Sequence, residues 1–109
     1  FKKAMHWYEN SASHGNVLAQ YNLGVRYENG DGDGFLQNHQ KAFYWYTKAA
    51  EQGYSFAQYN LGRMYLLGKG DDENILEARF WIKQALENND AYIGALAQQV
   101  WDDYKLGTY

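Results

Sequence analysis

The chain repeats itself, and that restricts its fold more than any single residue does. Residues 3–30, KAMHWYENSASHGNVLAQYNLGVRYENG, return as residues 41–68, KAFYWYTKAAEQGYSFAQYNLGRMYLLG, with 14 of 28 positions identical at an offset of 38. A weaker third copy begins at EARFWIKQAL, residues 77–86, offset by 36 from the second, so Trp7, Trp45 and Trp81 occupy equivalent places. Self-similarity at such a period marks a stacked array in which each unit buries its apolar face against its neighbours.

The units are helical. Proline is absent, and apolar residues recur at helical spacing between glycines. Ala42, Trp45, Tyr46 and Ala49 fall at i, i+3, i+4 and i+7 and form one stripe that stops near Gly53. Phe56, Ala57, Tyr59, Leu61, Gly62 and Tyr65 make the next, which Gly68 and Gly70 end. Two helices per period follow, predicted near residues 2–13, 17–29, 39–52, 55–67, 74–88 and 91–105. Gly24 and Gly62 lie inside helices, where glycine costs about 1 kcal/mol relative to alanine, so we expect a partner helix to approach closely there. The loop at residues 30–38 is two residues longer than its counterpart at 68–74, which accounts for the change in period.

Composition narrows the function classes. At 109 residues the chain is one domain, and 18% of it is aromatic, mostly at repeat-equivalent positions. A net charge of −3 without a basic block argues against nucleic acid as a partner. No apolar run approaches the roughly 20 residues that span a bilayer, so membrane insertion is not expected and the chain reads as soluble. Cysteine is absent, which excludes disulfides and thiolate metal sites and leaves the compartment open. Because the first residue is Phe, not Met, an upstream segment is expected.

The pattern AxYNLGxxYxxGxG, then a short loop, then KAxxWYxKAAxxG, closely resembles the Sel-one-like repeat, a relative of the tetratricopeptide repeat. It is carried by Ala57, Tyr59, Asn60, Leu61, Gly62, Tyr65, Gly68 and Gly70, and by Lys41, Ala42, Trp45, Tyr46, Lys48, Ala49, Ala50 and Gly53. The resemblance implies an all-α, right-handed superhelical solenoid in which the YNLG helix is the first of each pair and lines a concave surface. In that register residues 1–14 are a second helix, 15–52 and 53–88 are repeats, and 89–109 hold a divergent terminal first helix. There Ala97 and Gln98 replace Leu-Gly, while Trp101 keeps the place of Tyr65.

Such repeats imply a noncatalytic interaction module that binds a protein or peptide in its concave groove. Carried over position by position, the groove residues are Leu18, Tyr21, Asn22, Val25, Glu28 and Asn29, then Phe56, Tyr59, Asn60, Arg63, Leu66 and Leu67, and finally Tyr92, Gln99, Asp102 and Asp103. Asn60 and Arg63, three apart on one face, together reach a backbone or carboxylate, unless the asparagines serve the neighbouring helix. Positions that differ between copies, Val25 against Arg63, Glu28 against Leu66 and Asn29 against Leu67, are expected to specify the partner. Leu66 with Leu67 would make an apolar patch if exposed.

Other readings carry less. The recurrent tryptophans sit among alanines and are expected in the core, whereas His6, Tyr44 and Phe80 are candidates for an outer aromatic ridge. The GDGDG stretch lacks the calcium-loop requirements: counted from Asp31, the fifth, sixth and twelfth places hold Phe35, Leu36 and Ala42. His6, His14 and His39 show no zinc spacing. Asp71, Asp72, Glu73 and Glu77 suit a helix N-terminus. None of Ser11, Ser13, Thr47, Ser55 or Thr108 stands in GxSxG or SxxK, so neither an enzyme nor a cofactor or metal is expected, and a hydrolase is the weakest alternative. The main alternative is end-to-end assembly with further repeats or a second copy, through the apolar end bearing Met5, Trp7 and Tyr8.

Overall fold

The computed structural model describes residues 2–30, 36–71 and 73–109, with side chains from residue 6 onward. The calcium-loop comparison at residues 31–35, the Met5 side chain and Asp72 therefore lie outside the described residues.

Six α-helices follow one another: α1 (Lys2–Ser13), α2 (Val17–Asn29), α3 (His39–Glu51), α4 (Ser55–Leu67), α5 (Ile75–Glu87) and α6 (Ala91–Asp103). A 3-10 turn, Leu106–Thr108, closes the chain, and no strand occurs among the described residues. Each helix lies within two residues of its predicted span. Every helix packs on its sequence neighbours, giving a helical solenoid 45 × 27 × 19 Å in extent.

Local chemistry fixes where the helices start. Asn16, Asn38, Asn74 and Asp90 each precede a helix and accept the backbone N–H three residues on, satisfying one of the otherwise unpaired amides of the first turn. At α5 the acidic cluster meets the helix start as expected, through Glu77 in the first turn. The side-chain cap there is Asn74. Gly53 turns α3 into α4 at φ 88°, as Gly15 at φ 91° turns α1 into α2. Across the longer connections, Asn38 N–H donates to Tyr27 O at 2.7 Å and Asn74 N–H to Tyr65 O at 3.0 Å, so both copies return the chain by the same bond.

Knobs and sockets join the repeats. A Cβ added at Gly24 would lie 2.6 Å from the Tyr46 ring, and one at Gly62 would lie 2.6 Å from Ile82 Cδ1, so both helical glycines admit a side chain of the next second helix. Tyr46 and Ile82 occupy equivalent positions, and both are fully buried. A ladder of amides runs beside the knobs. Gln20 Nε2 donates to Ala12 O (3.1 Å), and Gln52 Nε2 donates to Gly15 O (3.0 Å) and Gln20 Oε1 (2.8 Å). One repeat on, Gln58 Nε2 donates to Ala50 O and Asn88 Nδ2 to Gly53 O (2.9 Å) and Gln58 Oε1. Buried Gln20 and Gln58 thus satisfy helix-end carbonyls and tie adjacent repeats.

The tryptophans only partly meet expectation. Trp45 and Trp81 are half-buried against the core of α1 to α4, but Trp7 on α1 is 58% exposed. On the outer face Tyr44 stacks edge-on with Trp45, and Phe80 with Trp81, each at 4.9 Å.

Candidate functional site

The first helices of the three pairs, α2, α4 and α6, jointly line a cavity of about 380 Å³. Leu18, Tyr21 and Asn22 come from α2, Phe56, Tyr59 and Asn60 from α4, and Tyr92, Ile93 and Leu96 from α6, with Tyr54 joining from the turn before α4. Rings supply half of the residues in its wall. Tyr21 lies 5.1 Å from Tyr54 and 6.0 Å from Phe56, Tyr54 and Phe56 meet edge-to-face at 5.5 Å, and Phe56 lies 6.4 Å from Tyr92. Leu18 and Tyr92 remain more than half exposed although they sit in the wall. Among the described residues no charged side chain lines the cavity.

Behind the rings runs a chain of hydrogen bonds. The Asn60 amide bonds the hydroxyls of Tyr21 and Tyr46, and the Tyr46 hydroxyl donates to Glu28 Oε1 at 2.8 Å. Burial raises the Tyr21 phenol above its usual value against the lowering effect of Asn60. Tyr46 is raised much further, first by burial and then by the Glu28 carboxylate beside it. Both phenols stay protonated, so the wall offers neutral donors and acceptors.

The predicted groove residues divide accordingly. Tyr21, Asn22, Phe56, Tyr59 and Asn60 meet at the cavity, together with Leu18 and Tyr92. Arg63 and Leu67 line a second, smaller cavity of about 100 Å³ with Leu66, Val100 and Tyr104, and the Arg63 guanidinium sits 5.7 Å over the Tyr59 ring. Asn60 therefore faces the Tyr21 and Tyr46 hydroxyls while Arg63 serves the neighbouring recess. Val25 is half-buried against the core, and Asn29, Gln99, Asp102 and Asp103 are exposed away from the cavity wall.

One expectation about the variable positions needs correction. Leu66 is buried, so no Leu66–Leu67 surface patch forms, and Leu67 alone is exposed. Glu28 is held by Tyr46. The two positions differ because their packing partners differ: Glu28 pairs with Tyr46, whereas its equivalent Leu66 shares an apolar cluster with Ile82, the equivalent of Tyr46. Variation there matches repeat to repeat.

Tyr54, Ile93 and Leu96 complete the wall and were not among the sequence candidates. Tyr54 carried a signal. It stands where Asn16 and Asp90 cap their helices, and α4 alone of these three lacks a side-chain cap.

The sequence profile of the Sel1 repeat matches residues 1–16, 17–54 and 55–90. The chain belongs to the Sel1 repeat family. Sel1 repeats generally serve as protein–protein interaction modules and are typically non-enzymatic. Among solved structures, the chain is similar to a protective antigen present in uropathogenic Escherichia coli strains that displays an SLR fold. Identity to it is 40% over 80% of this chain and 18% of that one, with a TM-score of 0.73. A Sel1 repeat protein from Oxalobacter formigenes is 34% identical over 88% of this chain and 27% of its own, with a TM-score of 0.77. The chain thus spans about a fifth to a quarter of those two proteins. No curated protein matches it. Among the described residues no cluster of three or more His, Cys, Asp or Glu could hold a metal, and no helix is long and apolar enough to cross a membrane.

Proposed function

We propose that this chain is a noncatalytic binding module that holds a segment of a partner protein along the groove formed by α2, α4 and α6. The carrying observation is the 380 Å³ cavity to which all three first helices contribute rings, with Leu18 and Tyr92 more than half exposed in its wall. Exposed apolar surface of that kind is the usual mark of a binding site. A stack fixed by glycine sockets and amide ladders is already ordered, so little conformational entropy is lost on binding.

Tyr54 supports this reading. Capping residues at the start of α2 and α6 give way to a tyrosine at α4, where a missing cap costs about 1 kcal/mol, and the tyrosine adds a ring to the cavity. Local rules broken without structural gain tend to mark functional positions.

The test is partner capture by the intact chain against Leu18→Asp/Tyr92→Asp, two exposed positions whose replacement leaves the core untouched. We expect the double variant to melt as the wild type and to lose its captured partners. Undiminished capture by a folded double variant overturns the groove.

End-to-end assembly has one observation in its favour, the exposed Trp7 on α1. The opposite end argues against stacking of copies. There Gln98 replaces the glycine socket, and Leu106, fully buried, folds back with its carbonyl accepting from Arg79 Nε at 3.1 Å.

A further inference from the structure

We infer that Arg63 and the recess beside it take the C-terminal residue of the bound segment, an aliphatic residue whose carboxylate pairs with the guanidinium and whose side chain fills the recess. The inference rests on the groove reading above and adds the chemistry at one end of the ligand. A cation without an anion carries it. Arg63 is half-buried on α4, yet among the described residues it donates to no acceptor and joins no ion pair. Arg79, also half-buried, spends its Nε on Leu106 O at 3.1 Å. The Arg63 guanidinium is held instead 5.7 Å over the Tyr59 ring, which leaves its planar fork of donors for a carboxylate. Partly buried charge pairs are screened less than fully solvated ones, so a partner gains more here than at an exposed lysine.

Variation between the repeats points the same way. Arg63 stands where α2 has Val25, half-buried against the core, and where α6 has Gln99, exposed. Packing explains Glu28 and Leu66, each matched to the second-helix residue beside it, but no acidic neighbour calls for an arginine at position 63. Tyr59, under the guanidinium, also lines the 380 Å³ cavity, so a segment ending at Arg63 runs back into the ring-lined groove.

The recess selects among carboxylates. Arg63 is itself part of its wall, with Leu66, Leu67, Val100 and Tyr104, and the enclosed volume is about 100 Å³. That is smaller than a cavity of about 150 Å³ that admits benzene, and it fits one aliphatic side chain. Cation and apolar wall are so close that one ligand residue must serve both. A C-terminal aliphatic residue does, because its carboxylate and its side chain leave the same Cα. An internal Asp or Glu spends its side chain on the carboxylate, and in an extended segment the next side chain points the other way. An acidic tract fits worse: the chain carries a net charge of −3, and Asp102 and Asp103 lie exposed on α6 beyond Val100.

An NMR titration of the full chain with acetyl-Ala-Ala-Ala-Leu bearing a free carboxylate tests this, beside the same peptide as its C-terminal amide and acetyl-Ala-Ala-Glu-Leu amide. The expected result is saturable shifts at Arg63 Nε and the Leu67 methyls with the free acid, and binding about tenfold or more weaker for both amides. Arg63→Gln should weaken the free acid to the level of its amide. Leu67→Asp, at an exposed position, sets a carboxylate beside the guanidinium and should block the site as well, so the test survives if one variant fails to fold; melting curves verify each. Absent saturation by the free acid, equal binding of its amide, preference for the glutamate peptide, or indifference of the folded variants overturns the inference. Partner capture separates the two levels: if Leu18→Asp/Tyr92→Asp loses its partners while Arg63→Gln captures them as the wild type does, the groove stands and the carboxylate site falls.

Discussion

Glu28 with Tyr46 and Leu66 with Ile82 are one structural position filled in two ways, polar with polar and apolar with apolar. Mixing the sets should therefore cost more than replacing both. We predict that Tyr46→Ile alone destabilises by about 2–4 kcal/mol, through lost volume and a stranded Glu28, and that adding Glu28→Leu recovers about 1 kcal/mol or more of it. Urea unfolding of the two single variants and the double variant measures the coupling; strict additivity would contradict the pairing. The same tyrosine predicts a pH dependence. Unfolded Tyr46 ionises near pH 10, while burial and Glu28 keep the folded phenol protonated beyond that point. Its contribution is thus fully present below about pH 10 and is lost as pH rises above it, because only the unfolded chain releases the proton. Tyr46→Phe should flatten the alkaline fall by up to about 1.4 kcal/mol per pH unit, measured by unfolding between about pH 8 and 11.

Between helices, glycines inside the first helices face different surroundings. Gly62 meets Ile82 and Gly24 meets Tyr46, but nothing lies within 4 Å of a Cβ added at Gly94 in α6. Gly62→Leu should lower the melting temperature by many degrees, whereas Gly94→Ala should raise stability by about 0.5–1 kcal/mol, both read by thermal unfolding. Opposite signs are the signature of sockets in one helix and open space in the other. These elements were legible in sequence because period, glycine punctuation and the internal Gly24 and Gly62 are local or repeat-equivalent signals. The amide ladder was less so. Gln20 and Gln58 recur, but their partners Gln52 and Asn88 differ in residue type and lie some 30 residues away. The cavity was half legible for a similar reason: Tyr21, Asn22, Phe56, Tyr59 and Asn60 follow from helix register, while Tyr54 enters from a turn and Leu96 from a helix whose pattern has drifted.

At the scale of the molecule, the two ends and the two faces differ. The first end shows Trp7, and the last is shut by Gln98 and the buried Leu106. The outer face carries Tyr44 and Phe80, both about half exposed, beside their tryptophans, and the inner face carries the ring-lined cavity. Sequence could not rank these surfaces, since all are aromatic and repeat-equivalent; what sets the inner one apart is that it combines rings from three helices into a single recess. The most direct measurement is a chemical-shift map of the folded chain titrated with the segment of a captured partner that binds it. Shifts concentrated on Leu18, Tyr21, Asn22, Phe56 and Tyr92 are the predicted result, and shifts concentrated on Trp7, or on Tyr44 and Phe80, would contradict it.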